Sequence, residues 1–191
     1  GTTMAAPSQK ATRLEYMRVV GSFLENNQYP TNSVLEISGK TKEWLSKFDK
    51  VTVSQFPEVS ADDLPYEDES FDCVIMNQVL EHCKKPWLCV EEAYRVLNKG
   101  GMLIASSPFM YQVHDWPGDF FRFTPEGLLC LTENAGFEEV LLKHRSGNAD
   151  MVKHAIDHPN DRSSSQFLSM AQQVGVDKSL YFMKSTVVVR K

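Results

Sequence analysis

Two kinds of hydrophobic spacing alternate along the chain. In the first helical stretch Leu14, Met17, Val20 and Leu24 recur every three or four residues, the repeat of a helix with one buried face, and Ser8 or Thr12 can cap its start. The turn NNQYPTN, residues 26–32, stops it. SVLEIS, residues 33–38, reads as a short strand covered on both faces, because its apolar residues run together instead of alternating with polar ones. A short helix over about residues 41–48 should follow, and KVTVSQ, residues 50–55, reads as a second strand. EVSADDLPYEDES then carries the chain across the end of a sheet, and FDCVIMNQ, residues 71–78, is a third clear strand.

Beyond Pro86 the residues Trp87, Val90, Tyr94 and Leu97 share one helical face, NKGG supplies the stop, and MLIASSP is the strand delivered by it. Thr124, Pro125 and Glu126 form a helix start: a capping hydroxyl, a proline where its missing N–H costs nothing, and an acid beside the positive helix end. Gly136 ends this helix. FEEVLLKHR and YFMKSTVVVRK then read as strands, the latter as an antiparallel edge. Strand and helix in alternation predict a mainly parallel α/β sheet with helices on both faces, binding its ligands at the carboxyl ends of the strands. The 191 residues suit one domain, with residues 1–30 as an N-terminal helical segment. Residues 147–176 form a long polar connection that either covers the site or meets a second copy or another protein partner.

Composition narrows the function. Hydrophobic residues at 42 % and charged residues at 24 % place the chain among ordinary globular domains rather than disordered or membrane ones. A net charge of -5, with no run of Lys or Arg, argues against nucleic acid and anionic membrane as partners. No apolar run approaches the ~20 residues of a membrane span. The four cysteines show neither a CxxC pair nor zinc-type spacing, so reduced thiols in a cytoplasmic setting are expected, with Cys73 in the core and no metal site. His154 and His158 would share a helical face, but Pro159 and the lack of a third ligand argue against a metal there as well.

Gly39, Lys40 and Thr41 sit where a strand runs into a helix, the place where nucleotides bind. A P-loop would need another glycine at Val34, inside the strand, so that motif is excluded. The order of longer motifs is more specific: VLEIS, DLPYEDESFDCVIMNQVLEH, EEAYRVLNKGGMLIASSP and DFFRFTPEGLLCLTENAGF. Over roughly residues 33–137 this series resembles the class I S-adenosylmethionine-dependent methyltransferases, specifically the methyltransferase type 11 group. The resemblance implies a Rossmann-like fold with a seven-stranded, mostly parallel sheet and an antiparallel last strand.

It also implies a set of site residues. Glu36 takes the place of the acid at the end of the first strand, and the glycine-rich turn that follows it in the family is reduced here to Ser38 and Gly39. Ser54, followed by Gln55, stands where the family carries an acid for the ribose hydroxyls, and Ser60 or Asp62 stands at the adenine end. Asn77, Gln78 and Val79 inherit contacts to the cofactor, S-adenosylmethionine. His82 and His114 are the candidate catalytic groups at the acceptor rim, where a base assists an O- or N-acceptor, and Trp116 and Arg122 are candidate acceptor contacts. The expected activity is methyl transfer to a small polar metabolite or glycan-related acceptor. The alternative is a relative that has lost its cofactor and serves as a binding or regulatory subunit.

Overall fold

The computed structural model describes residues 7–38, 41–114, 117–158 and 181–191. In chain order its elements are α1 (Pro7–Asn26), β1 (Ser33–Ile37), α2 (Lys42–Leu45), β2 (Lys50–Ser54), β3 (Phe71–Asn77), α3 (Pro86–Val96), β4 (Leu97–Pro108), α4 (Pro125–Ala135), β5 (Glu139–Ser146), α5 (Ala149–Asp157) and β6 (Lys184–Arg190). A 3-10 turn, Leu80–His82, lies between β3 and α3. The strands form one sheet in the order β2-β1-β3-β4-β6-β5. The first three pairings are parallel; the last strand, β6, is antiparallel as expected but lies between β4 and β5, so β5 forms the edge that was expected of β6.

Successive residues of a strand point to opposite faces, and both faces of this sheet are covered. On one face Leu35, Ile37, Val74 and Met76 pack with Cys89, Val90, Ala93 and Val96 of α3 and Leu128 of α4. On the other, Val34, Cys73, Ile75, Met102 and Ile104 pack with Tyr16, Val20 and Leu24 of α1 and with Trp44. The unbroken apolar runs of β1 and β3 follow from this double burial. Thr124 caps α4 by accepting from the Gly127 N–H at 3.0 Å, and Gly136 ends the helix at φ 109, a left-handed conformation that costs glycine little.

The structure corrects the sequence expectations in three further places. The sheet has six strands among the described residues, where seven were expected. Between β2 and β3 the chain has only turns and an isolated bridge from Ser60 to Asp63, too little for another strand and its crossover. This connection is pinned by Ala61 and Leu64 in the core and by α3: Glu92 accepts from the Leu64 N–H at 2.8 Å, and Arg95 donates to the carbonyls of Leu64 and Tyr66. The second correction concerns α3, whose buried face is Cys89, Val90, Ala93 and Val96. Trp87 is 45 % exposed, and Leu97 already belongs to β4. The third is α2, which is a single turn ending at Leu45 instead of running to Phe48. In the parallel register Val51 and Val53 of β2 share a face with Val34 and Glu36, and α2 is too short to cover that edge, so both valines are exposed.

Candidate functional site

Strand order reverses beside β1: the chain steps outward to β2, then returns to β3 on the other side. The loops leaving adjacent strands in opposite directions open a crevice at such a point. Here the crevice is a cleft of about 620 Å³ whose wall includes Ile37, Ser38, Gln55, Phe56, Gln78 and Val79. Ser60, Asp62 and His82 line it as well.

The turn after β1 is shaped by a buried acid. Glu36 is 1 % exposed, and its carboxylate accepts from the Thr41 N–H at 2.7 Å and from the Thr41 hydroxyl. It thereby ties the end of β1 to the start of α2 instead of facing the cleft. Ser38 lies at φ 73, the left-handed region that glycine enters freely, and its N–H donates to the Ser54 carbonyl at 2.8 Å. Gly39 falls outside the described residues.

The remaining predicted contacts divide into cleft walls and supports. Gln78 and Val79 face the cleft. Asn77 does not: its Oδ1 accepts from Tyr16 Oη at 2.9 Å and from Ser106 Oγ at 2.6 Å, so it braces β3 against α1 and β4. Gln78, at φ 58, donates its backbone N–H to the Ser106 carbonyl and its side-chain amide to Ser106 Oγ. Ser54 is buried, its hydroxyl without a hydrogen-bond partner among the described residues, and its neighbour Gln55 supplies a polar group in the cleft. Ser60 Oγ donates to Asp62 Oδ1, and both residues line the far end.

Beside the cleft the 3-10 turn presents Glu81 and His82, and the loop after β4 folds back to bring His114 against them. The two imidazoles meet edge to face, with ring centroids 4.8 Å apart. His82 Nδ1 faces the Gly118 carbonyl within hydrogen-bond reach, whereas His114 Nδ1 lies 3.2 Å from Asp119 Oδ2 without the alignment of a hydrogen bond. Both acceptors favour a proton on Nδ1 and leave the Nε2 lone pairs turned inward. Glu81 Oε1 stands 3.6 Å from His82 Nε2 and 4.0 Å from His114 Nε2. Glu81 is fully buried, and burial pushes its carboxyl up to about 7. Partial burial lowers the pKa of His114, with the neighbouring His82 and Arg122 adding to the shift against the pull of Asp119.

Arg122 is committed to this loop. It forks onto both oxygens of Asp119 and donates to the carbonyls of Phe121 and Gln112. The hydrogen bonds from Arg122 hold the Asp119 carboxyl far below its ordinary range. Asp119 also accepts from the His114 N–H at 2.9 Å, so the Asp119–Arg122 pair sets the position of His114. Trp116 lies outside the described residues. Two residues were given no site role from the sequence: Glu81 of the LEH motif, whose carboxylate meets the two imidazoles, and Phe56, which lines the cleft beside Gln55.

Comparison with known proteins agrees with this architecture. Residues 24–105 match the methyltransferase-domain family. An uncharacterized protein of Methanocaldococcus jannaschii, MJ1123, is 49 % identical over 43 residues, 22 % of this chain and 21 % of its own length, so the match spans about a fifth of that relative. Among solved structures, one chain comes from the complex of the Haloferax volcanii Trm112 methyltransferase activator, with a TM-score of 0.59 and 14 % identity over 98 % of this chain and 99 % of that one. A Thermotoga maritima S-adenosylmethionine-dependent methyltransferase, described as a possible histamine N-methyltransferase, gives 0.56 and 19 % over 96 % and 92 %. Haemonchus contortus phosphoethanolamine N-methyltransferase 2, solved with S-adenosylhomocysteine, gives 0.58 and 12 % over 92 % and 53 %. Part of the chain, residues 24–105, thus resembles the methyltransferase-domain family, and the whole has the class I S-adenosylmethionine-dependent methyltransferase fold.

Proposed function

We propose that this protein transfers a methyl group from S-adenosylmethionine to a small polar or glycan-related acceptor. The observation that carries the reading is the cleft at the strand reversal, with the histidine pair at one rim. Its volume suits a cofactor of this size. The residues present fit such a ligand: the Gln55 amide can bond ribose hydroxyls, Ser60 and Asp62 offer acceptors at the adenine end, and Ile37, Phe56 and Val79 supply apolar surface. When bound, the cofactor supplies an activated methyl on its sulfonium. The chain supplies proximity, holding the acceptor in line at about 3–3.5 Å, and the inward Nε2 atoms of His82 and His114 act on the acceptor's polar group.

Calorimetric titration with S-adenosylmethionine and S-adenosylhomocysteine tests the reading. Saturable binding at about 100 μM or tighter, roughly 5.5 kcal/mol, is expected. The second reading, a binding or regulatory subunit without cofactor, draws support from the exposed Val51 and Val53 on the edge strand, an open surface for a protein partner. Absence of binding at millimolar ligand would select it.

A further inference from the structure

The inward groups of Glu81, His82 and His114 converge more closely than proton transfer alone requires. One ligand atom from each lies within 4.8 Å of the other two. A zinc-like ion with bonds of about 2.1 Å at tetrahedral angles needs its donors about 3.4 Å apart. The pairs from Glu81 Oε1 at 3.6 and 4.0 Å are within a small side-chain rotation of that geometry. Glu81 Oε1 is a buried carboxylate oxygen without a hydrogen-bond partner, aimed at the point the two imidazoles share. A carboxylate oxygen in such a place calls for a cation.

The surroundings match what metal-binding histidines need. Each ligating imidazole must present a neutral nitrogen, and its other nitrogen is ordinarily held by a carbonyl or carboxylate that fixes the ring and raises its basicity. His82 has the Gly118 carbonyl at Nδ1, and His114 Nδ1 has Asp119 Oδ2 3.2 Å away, close but not aligned as a hydrogen bond, with Asp119 fixed by Arg122. Two imidazoles and one carboxylate are the donor set of open transition-metal sites, whereas magnesium and calcium prefer all-oxygen shells. His82 also lines the cleft, so positions not filled by protein face the place of the acceptor.

We infer that Glu81, His82 and His114 form a binding site for a divalent first-row transition metal ion of the zinc class, open toward the cleft. Resting on the methyltransferase reading, the ion would hold an acceptor oxygen and lower the pKa of its hydroxyl, making the two histidines ligands instead of free bases. The spacing of the sequence hides this set, because His82 and His114 are brought together only by the loop after β4.

The test uses tag-free full-length protein, stripped with chelator and dialysed against Zn²⁺ or Co²⁺ without cofactor. One equivalent per chain at micromolar metal is expected, with visible Co²⁺ d–d bands. His114→Ala and Glu81→Gln should each weaken retention by at least about 100-fold, and Asp119→Asn by about 10-fold or more. His158→Ala, which breaks the other imidazole pair, His154 with His158, should leave retention unchanged. Far-UV circular dichroism checks folding; should Glu81→Gln not fold, His114→Ala, on a loop, decides. No stoichiometric metal in the parent protein, retention equal in folded His114→Ala, or loss in His158→Ala instead would overturn the site. Because metal is read without cofactor, failure of S-adenosylmethionine binding would strike the methyltransferase reading and leave this result standing.

Discussion

A single carboxylate concentrates the tension at the site. Glu81 was legible in the motif LEH, but its burial and its missing partner were not, because both arise when the loop after β4 closes over it: Phe120 and Phe121 each direct a backbone N–H to the Glu81 carbonyl. The raised carboxyl gives a signed pH dependence. In metal-free protein the folded state holds this proton up to about 7, while the unfolded chain releases it near the ordinary value of 4.5. The folded state therefore binds more protons between these values, and stability falls as pH rises through that window. The expected loss is on the order of 3 kcal/mol, read by urea unfolding from pH 4 to 8. Glu81→Gln, which cannot ionise, should flatten the profile; an unchanged slope would place the titrating group elsewhere. Glu36 stood among the expected cofactor contacts, and its bond from the Thr41 N–H makes it a clamp on the turn. Glu36→Ala should thus weaken binding of S-adenosylhomocysteine by loosening that turn, by roughly 10-fold in calorimetry if about one buried hydrogen bond to a charge is lost.

At the scale of elements, local chemistry decided where it was strong. The start of α4 was readable because Thr124, Pro125 and Glu126 each act within one turn, and the structure shows the expected bond from Gly127 to Thr124. Thr124→Ala should cost about 1 kcal/mol in chemical denaturation, and Thr124→Ser much less. Where two helical faces were both partly apolar, local pattern could not choose. In α3 the choice between the Trp87 face and the Cys89–Ala93 face was made by the sheet beneath it, which has room for small and β-branched side chains. The helix α2 stopped early because its last contacts, Lys47 to Trp44 and Phe48 to Leu45, are three-residue bonds that tighten the chain into a turn.

For the molecule as a whole, two cores share one sheet, and α1 covers much of one of them. Tyr16, Val20 and Leu24 lie over Cys73, Ile75, Met102 and Ile104, and Tyr16 also reaches Asn77 at the edge of the cleft. A chain beginning at residue 28 should therefore expose that face, bind the dye ANS and lose cooperative thermal unfolding. A cooperative melt indistinguishable from that of the full chain would show that α1 is dispensable.

The sequence by itself determined the parts that depend on near neighbours: the strands from their double-sided apolar runs, the helix caps, and the family likeness from the order of its motifs. Tertiary structure alone decided the rest. Strand count depended on how the connection between β2 and β3 was pinned to α3 by Glu92 and Arg95. The division of Asn77, Gln78 and Val79 into brace and wall depended on which backbone left the sheet at a positive φ. The meeting of His82 with His114 required a loop held by Asp119 and Arg122. Short-range sterics and hydrogen bonding are written in consecutive residues; the distance between two side chains far apart in sequence is set only when the chain between them has folded and packed.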